Sequence, residues 1–400
     1  MSLLSASTNK PITLQLNRDL TRSLKRGHPW VFADALRSRP KARPGSLALL
    51  LDKQGRQKLA WGFYDPDSPL AFRVCSLDYD HKPDEAWVEQ RLTQALTLRQ
   101  ALFDERTTGF RLCNGEGDGL PGLVCDVYGD TAVLRLDGEG PGHFWNVEGI
   151  AGWMAGNLSL KRVYQRWRRR GDAAGRTLLG DTPTEAIPFF ENGHHFTADV
   201  VNGQKTGFFL DQRDNRQRLG RLAAGKRVLN LFGYTGGFSV YAGLGGAEYV
   251  TTVDLARPAL DAAGHHWQLN GLSPDKHHLV AADAFTFLDE AAKQGRAWEM
   301  VILDPPSFAP AKKAVPQAIA AYRNLIAAGA TVTTPDGLLA AASCSSHVSQ
   351  EMFLDACEAA VSTARRRATI LSISGQPPDH PAPLVAPELR YLKFVLMLIA

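Results

Sequence analysis

The sequence lacks any hydrophobic segment long enough to cross a lipid bilayer. Its longest nearly apolar run covers residues 394–400, whereas a membrane-spanning helix needs about 20 such residues. Residues 1–10 are polar and contain no apolar core of the kind that a secretory signal requires. We therefore expect a cytoplasmic protein with no membrane partner.

Cysteine is scarce and scattered along the chain. The five cysteines contain no C-x-x-C pair, which argues against a disulfide framework and against a zinc site. Three His-His pairs, at residues 194–195, 265–266 and 277–278, lack a Cys or carboxylate at ligand spacing. The sequence thus predicts no metal centre, and a chemical role for any thiol depends on its local context.

Net charge is also small, at +4, but the basic residues are clustered. Residues 18–43 contain eight Lys or Arg against two Asp, and residues 161–170 contain six. Cations interleaved with aromatic rings are typical of surfaces that bind a nucleic-acid backbone, although a solvated basic face or an acidic small ligand fits the same pattern. The candidate RNA-binding residues are Arg22, Lys25, Arg26, His28, Trp30, Arg166, Arg168 and Arg169.

The pattern of elements changes twice along the chain. Residues 1–80 contain short apolar runs separated by Pro, Gly and Asp, which predict a small N-terminal β-barrel. Residues 81–190 combine helical spacing with hairpin-like strands and predict a central mixed α+β domain. Strands alternate with helices over residues 191–400, so we predict an α/β C-terminal domain with a doubly wound parallel sheet.

A glycine-rich loop follows the first predicted strand of this third domain. Residues 230–239 read Asn-Leu-Phe-Gly-Tyr-Thr-Gly-Gly-Phe-Ser, and the glycines would let the backbone approach a ligand closely. The loop lacks the Gly-Lys-Ser/Thr of a triphosphate site and matches the dinucleotide fingerprint poorly. Asp254, at the end of the next strand, could accept both hydroxyls of a ribose. S-adenosylmethionine is therefore favoured over a dinucleotide or a ligand-free turn.

Two further carboxylates follow predicted strands. Asp283, together with Ala284, would lie near an adenine ring, although a surface Asp is the ordinary alternative. Asp304 is followed by Pro305 and Pro306, which fix backbone torsions and remove two amide donors. Because ligands bind at the carboxyl ends of strands in such sheets, Asp304 is a candidate catalytic and cofactor-binding residue.

Cys344 lies in a Ser-Cys-Ser segment after the next predicted strand. A thiol there can act as a nucleophile if its pKa is lowered, whereas a buried structural thiol is the alternative. The presence of Asp304 on the same edge of the sheet favours the nucleophile.

Residues 205–213, Lys-Thr-Gly-Phe-Phe-Leu-Asp-Gln-Arg, precede the glycine-rich loop. Their polar groups could contact the methionine end of the cofactor, with a structural β-turn as the alternative. The candidate cofactor-binding residues are Lys205, Asp211, Gln212, Arg213, Asn230, Phe232, Gly233, Tyr234, Thr235, Gly236, Gly237, Asp254, Asp283, Ala284, Asp304 and Pro305.

Taken in order, these motifs resemble those of the RlmI-like family of 23S ribosomal RNA cytosine-C5 methyltransferases. Residues 25–32 resemble its N-terminal PUA domain, residues 114–129 its central domain, and residues 388–393 its C-terminal strand signature. The resemblance implies a class I methyltransferase fold, S-adenosyl-L-methionine as cofactor, and 23S-type ribosomal RNA as partner. It also implies Cys344 as the nucleophile in forming 5-methylcytosine through a covalent intermediate.

Other functions stay open at this point. The Asp-Pro-Pro-aromatic motif is shared with amino-group methyltransferases, which need no thiol. A non-catalytic RNA-binding ribosome-assembly factor could keep the fold and lack methyltransferase activity. The presence of Asp254, Asp304 and Cys344 argues against such a loss of activity. The oligomeric state is also open, with a homodimer as one alternative.

Overall fold

The computed structural model describes residues 2–5, 10–166 and 175–400. The chain forms two units, the first containing Met1–Leu210 and Pro378–Pro387 and the second Asp211–Pro377 and Glu388–Ala400. The first unit includes both of the first two predicted domains, so the division into three domains stays a prediction.

The N-terminal part of the first unit is built on a five-stranded sheet, ordered β1-β3-β4-β5-β2. Its elements are β1 (Ile12–Gln15), α1 (Thr21–Lys25), β2 (Trp30–Val31), β3 (Ser46–Leu51), β4 (Lys58–Tyr64) and β5 (Phe72–Ser76). Strands β1 and β3 are parallel, and the other pairs are antiparallel. Alternate residues such as Ala48 and Leu50 point into one apolar cluster, as expected of a strand with one buried face.

A second five-stranded sheet, ordered β10-β9-β8-β7-β6, follows in the same unit. Its elements, with the hairpin that follows, are α2 (Glu85–Leu102), β6 (Gly109–Asn114), β7 (Leu123–Tyr128), β8 (Thr131–Leu136), α3 (Glu139–Phe144), α4 (Val147–Asn157), β9 (Arg162–Arg166), β10 (Gly175–Leu179), β11 (Ile187–Glu191) and β12 (His194–Ala198). Gly129, with φ +54°, turns the β7–β8 hairpin, where a side chain at that torsion would be strained.

Residues 378–387 join the first unit although they lie far from it in sequence. The buried Arg99 binds the Asp118 carboxylate and donates to the Asp379 carbonyl at 2.7 Å. The Asp379 carboxylate in turn accepts the Arg111 backbone N–H at 2.9 Å. Because these buried charges are paired and hydrogen-bonded, the segment is held as part of this unit.

The second unit is built on a seven-stranded sheet, ordered β15-β14-β13-β16-β17-β19-β18. Its elements are α5 (Arg213–Gly220), β13 (Arg227–Leu231), α6 (Gly237–Leu244), β14 (Tyr249–Asp254), α7 (Arg257–Leu269), β15 (His277–Ala281), α8 (Ala284–Lys293), β16 (Trp298–Leu303), α9 (Val315–Thr331), β17 (Thr333–Ser343), α10 (Gln350–Thr363), β18 (Ala368–Ser374) and β19 (Lys393–Ile399). Strands β13 to β17 pair in parallel, and β19 is antiparallel to both of its neighbours.

Apolar helices cover both faces of this sheet. Helices α8, α9 and α10 pack against one side, where Leu229 and Val301 are buried. Helices α6 and α7 pack against the other, where Val228 and Met300 are buried. A strand buried on both sides is a near-continuous apolar run, and this arrangement confirms the predicted doubly wound sheet.

Across the described ranges, no helix combines the length and apolar character that a bilayer span would need.

Candidate active site

The predicted motifs of the second unit meet at one edge of its sheet. The strands β14, β13, β16 and β17 are adjacent, and a predicted motif follows each of them. Carboxyl ends of parallel strands form the ligand-binding edge of such sheets. The strand order therefore brings together the glycine-rich loop, Asp254, Asp304 and Cys344.

The loop between β13 and α6 has unusual backbone torsions. Phe232 and Tyr234 have φ of +56° and +46°, values that cost energy for any residue with a side chain. Gly236, with φ +76°, is the N-cap of α6. A Cβ on Gly233 would lie 2.4 Å from Thr252 Cγ2, and one on Gly236 would lie 2.7 Å from Ala263 Cβ. These two glycines thus allow the loop to pack closely on the protein itself, and their role in close approach to a ligand stays a prediction.

Asp254 is oriented by the backbone around it. Its Oδ2 accepts the Tyr234 N–H at 2.9 Å, and its Oδ1 accepts the Ala256 N–H at 2.9 Å. Each oxygen keeps a second lone pair. A carboxylate held in this way can accept hydrogen bonds from two neighbouring hydroxyls.

Asp283 is the N-cap of α8, since its Oδ1 accepts both the N–H and the hydroxyl of Thr286, at 3.0 and 3.1 Å. Two apolar side chains stand exposed beside these strand-end carboxylates, Leu255 at 71% and Phe285 at 37%. Sequence reasoning missed both. Exposed apolar groups at a ligand edge can stack on a planar ring, and the signal that could have found them is their position immediately after a strand-end motif.

A buried polar chain lies beneath the glycine-rich loop. Asn230 Nδ2 donates to Ser239 Oγ at 2.9 Å, and Ser239 Oγ lies 2.6 Å from Thr252 Oγ1. Thr252 Oγ1 is also 2.7 Å from His277 Nε2. The chain ties the end of β13 to α6, β14 and β15, so it fixes the base of the loop.

Asp304 is held by a second chain of amides. Gln212 Nε2 donates to Asp304 Oδ1 at 2.9 Å, and Gln212 Oε1 accepts from Asn215 Nδ2 at 2.7 Å. Asn215 Oδ1 accepts from Ser374 Oγ at 2.7 Å. Because each amide is used at both ends, the Gln212 side chain has one orientation and presents a donor to the carboxylate.

Cys344 differs from the other cysteines in exposure. Its side chain is half-buried, whereas the other four cysteines are buried. Burial raises the pKa of Cys357 to about 12, which makes that thiol inert. Cys344 Sγ lies 4.0 Å from the Pro305 carbonyl oxygen, so the thiol and the Asp-Pro-Pro loop are close neighbours.

Ser345 links the Asp-Pro-Pro loop to the Ser-Cys-Ser segment through hydrogen bonds. Its hydroxyl oxygen is 3.0 Å from Ser307 Oγ, accepts the Ala309 N–H at 3.2 Å and is 2.9 Å from the Tyr322 hydroxyl. The residue is fully buried. It therefore fixes the loop that contains Asp304 against the segment that contains Cys344.

Comparisons with known proteins agree with this geometry. A sequence profile described as S-adenosylmethionine-dependent methyltransferase matches residues 147–394, and one for a PUA-like domain matches residues 14–77. The chain is 38% identical to the ribosomal RNA large subunit methyltransferase of Deinococcus radiodurans, over 98% of both chains. It is 35% identical to ribosomal RNA large subunit methyltransferase I of Aeromonas salmonicida, over 96% of this chain and 98% of that one.

The chain belongs to the S-adenosylmethionine-dependent methyltransferase family.

Solved structures share the fold of this methyltransferase. SMU.776, assigned as a methyltransferase and crystallised with SAH, superposes with a TM-score of 0.86 at 25% identity, over 97% of this chain and 100% of that one. A protein from Streptococcus mutans, assigned as a SAM-dependent methyltransferase, gives 0.84 at 24% identity with the same coverage. The predicted family resemblance, PUA-like domain and cofactor are thereby confirmed.

The residues at the sheet edge fit S-adenosylmethionine. Asp254 would offer oriented acceptors to the ribose hydroxyls, and Leu255 and Phe285 would offer apolar surface to the adenine ring. Asp283 keeps its Oδ2 without a partner among the described residues, so it could accept the adenine amino group. When bound, the cofactor supplies an electrophilic methyl group on a sulfonium.

The remaining candidates for the methionine end lie in different surroundings. Asp211 and Arg213 are buried, and Asp211 Oδ2 accepts from the Tyr391 hydroxyl at 2.8 Å. Lys205 belongs to the first unit, where its Nζ lies 4.1 Å from the centre of the Phe209 ring. Their roles at the cofactor stay predictions.

Some of the candidate RNA-binding residues are exposed, whereas others make hydrogen bonds within the protein. Arg22, Lys25 and Arg26 are exposed on or beside α1. Trp30 is half-buried, and its indole N–H donates to Glu116 at 2.8 Å. Arg166 donates to the carbonyls of residues 203 and 205, both at 2.7 Å. The exposed group is thus the better candidate for phosphate contacts.

The other candidate RNA-binding residues are His28, Arg168 and Arg169. His28 is half-buried, and its Nδ1 accepts the Trp30 N–H at 3.3 Å. Arg168 and Arg169 lie outside the described residues.

Within the part of the chain that the structure describes, no group of three or more His, Cys, Asp or Glu side chains could hold a metal ion.

Proposed function

We propose that this methyltransferase forms 5-methylcytosine in large-subunit ribosomal RNA through a covalent bond to Cys344. The single observation that supports this chemistry is the half-buried thiol beside the Asp-Pro-Pro loop, with Sγ 4.0 Å from the Pro305 carbonyl oxygen. The names of the relatives support ribosomal RNA as the substrate.

Cytosine C5 is a poor nucleophile, and covalent attack by the Cys344 thiolate would make C5 more reactive. Attack of the Cys344 thiolate on C6 forms an S–C6 bond and moves the C5=C6 electron pair to C5, which becomes nucleophilic. C5 then takes the methyl group, whose bonding pair remains on the cofactor sulfur. A base removes the C5 proton, the C5=C6 bond re-forms and the Cys344 thiolate leaves.

Asp304 would hydrogen-bond the ring-nitrogen edge of the cytosine. Gln212 fixes the Asp304 carboxyl group from the protein side, so in its protonated form this group is preorganised to donate a hydrogen bond to the ring nitrogen on which negative charge develops. A base inside a duplex cannot reach a thiol at a sheet edge, so the target must be single-stranded or flipped out. The exposed cations of α1 would bind phosphates of the RNA.

The proposal is tested with RNA in which 5-fluorocytidine replaces cytidine. Fluorine at C5 cannot leave as a proton does, so the wild-type protein should form an adduct that survives denaturing electrophoresis. Cys344→Ala should form no adduct and lose at least about a thousandfold in the rate of methyl transfer. Cys357→Ala, which removes a buried thiol, is the matched control and should keep both the adduct and the activity.

Mass spectrometry of the modified nucleoside gives the contrary outcomes. Methyl transfer by Cys344→Ala at a rate near the wild-type rate contradicts the covalent mechanism. A product methylated on the exocyclic amino group of cytosine would assign the protein to the amino-group methyltransferases instead.

A further inference from the structure

A lysine lies buried at the start of β19, a strand that is otherwise apolar. Lys393 is only 3% exposed, and residues 394–399 are Phe-Val-Leu-Met-Leu-Ile. The antiparallel register of β17 and β19 places Lys393 opposite Ser343, the residue before Cys344. Lysine is rarely buried without a partner because its charged form loses hydration, so this position calls for an explanation.

The hydrogen bonds of Lys393 satisfy donors without cancelling its charge. Its Nζ donates to the Ser345 carbonyl at 2.6 Å and to the Tyr391 carbonyl at 2.8 Å. An ammonium has three donors, and both acceptors here are neutral. Within the described ranges, Lys393 has no carboxylate at ion-pair distance.

The anion available to this cation is the Cys344 thiolate. Burial lowers the pKa of Lys393 to about 8, and negative charge on Cys344 acts in the opposite direction by favouring the ammonium. The interaction is mutual, so the ammonium favours the thiolate by the same free energy. A thiol beside a lysine ammonium is a recognised setting for a reactive cysteine.

Other titratable groups lie on the elements around Cys344, among them Tyr322 and Asp304. The Tyr322 hydroxyl, on α9, is bonded to Ser345, and burial raises its pKa, so it is neutral near pH 7. Asp304, directly after β16, is an acid and brings no positive charge to the thiol. Of Tyr322, Asp304 and Lys393, Lys393 is the cation and can favour the thiolate.

We propose that Lys393 is a positioning residue that holds Cys344 as a thiolate before attack and favours its departure as a thiolate afterwards. The thiolate charge disappears when Sγ bonds to C6, which leaves the ammonium uncompensated. The charge returns when the S–C6 bond breaks and its electron pair goes back to sulfur. The inference rests on the proposed function for the use of the thiol but concerns a property that can be measured without RNA.

The experiment follows alkylation of Cys344 by iodoacetamide against pH in the full-length protein, with the modified peptide identified by mass spectrometry. Lys393→Met should raise the midpoint of the profile by about one pH unit or more and slow alkylation at pH 7 by about tenfold. Lys393→Arg, which keeps the charge, should stay near the wild-type profile. Lys293→Met, which removes an exposed lysine of α8, is the control and should leave the profile unchanged.

Two results would overturn the inference. One is a folded Lys393→Met variant that binds S-adenosylmethionine normally and has the wild-type alkylation profile. The other is a wild-type midpoint of Cys344 alkylation at or above about 8.5, the pKa of an ordinary thiol. This measurement needs no variant, so it tests the inference even if Lys393→Met does not fold.

The RNA adduct separates this inference from the proposed function. An adduct with 5-fluorocytidine together with a Lys393-independent profile contradicts only the role of Lys393. A Lys393-dependent profile without any adduct supports the pairing of lysine and thiol and contradicts the cytosine chemistry.

Discussion

At the scale of single residues, His277 shows how burial changes the chemistry of a side chain. Its ring stacks on Trp267 with centroids 4.3 Å apart, and its Nε2 meets Thr252. Burial, followed by the charge of His278, lowers the pKa of His277 from 6.5 to about 4. The His277 ring is therefore neutral in the folded protein until the pH falls to about 4. In the unfolded chain the same ring accepts a proton near pH 6.5.

This difference predicts how stability depends on pH. Because the folded-state pKa is the lower one, His277 costs nothing above pH 6.5 and destabilises the protein increasingly as pH falls from 6.5 to about 4. In urea unfolding, the wild type should lose about 2 kcal/mol relative to His277→Gln between pH 7 and pH 5. His265→Gln, at an exposed position of α7, should show no such relative loss. Parallel pH profiles for wild type and His277→Gln would contradict the prediction.

At the scale of elements, the start of α8 combines a structural role with a proposed binding role. Asp283 Oδ1 caps the helix through Thr286, and its other oxygen is the one that we assign to the adenine amino group. The two roles need different atoms. A hydroxyl side chain can cap a helix but offers no second oxygen to the adenine.

Substitutions at Asp283 should therefore separate stability from cofactor affinity. Asp283→Ser should keep the free energy of unfolding within about 0.5 kcal/mol, and Asp283→Ala should lose about 1 kcal/mol. Both should weaken S-adenosylmethionine binding by about tenfold, as expected for a lost hydrogen bond, when measured by calorimetry. Normal affinity in Asp283→Ser would show that the cap is the whole role of this residue.

At the scale of the whole molecule, the exposed cations of α1 belong to the first unit and the cofactor residues that we favour belong to the second. Replacing Arg22, Lys25 and Arg26 with alanine should weaken binding of transcribed 23S ribosomal RNA. The slope of the logarithm of affinity against the logarithm of salt concentration should fall by about 2 to 3, because fewer counterions are released. S-adenosylmethionine affinity should not change.

A matched triple variant controls for the loss of positive charge itself. This variant carries Lys276→Ala, Lys293→Ala and Arg367→Ala, which remove three exposed cations of the second unit. This variant should keep the wild-type salt slope. An equal fall in both variants would mean that net charge, and not the surface of α1, governs RNA binding.

Those parts of the protein in which a motif directly follows its strand along the chain could be predicted from the amino-acid sequence alone. The glycine-rich loop, Asp254, Asp304 and Cys344 each follow a strand directly, and parallel strands bring their carboxyl ends to one edge whatever the details of packing. The doubly wound class followed from alternating strands and helices for the same reason, because periodicity is a local property of the chain.

Contacts between residues that are distant in sequence could not be predicted and are visible in the folded structure. The antiparallel register of β19 on β17 places Lys393 opposite Ser343, the residue before Cys344, and no local pattern specifies that register. The glycines of the loop pack against Thr252 and Ala263, and residues 378–387 join the first unit through Arg99 and Arg111. Such contacts depend on how buried surfaces and charges from separate segments fit together, and that fit exists only once the chain has folded.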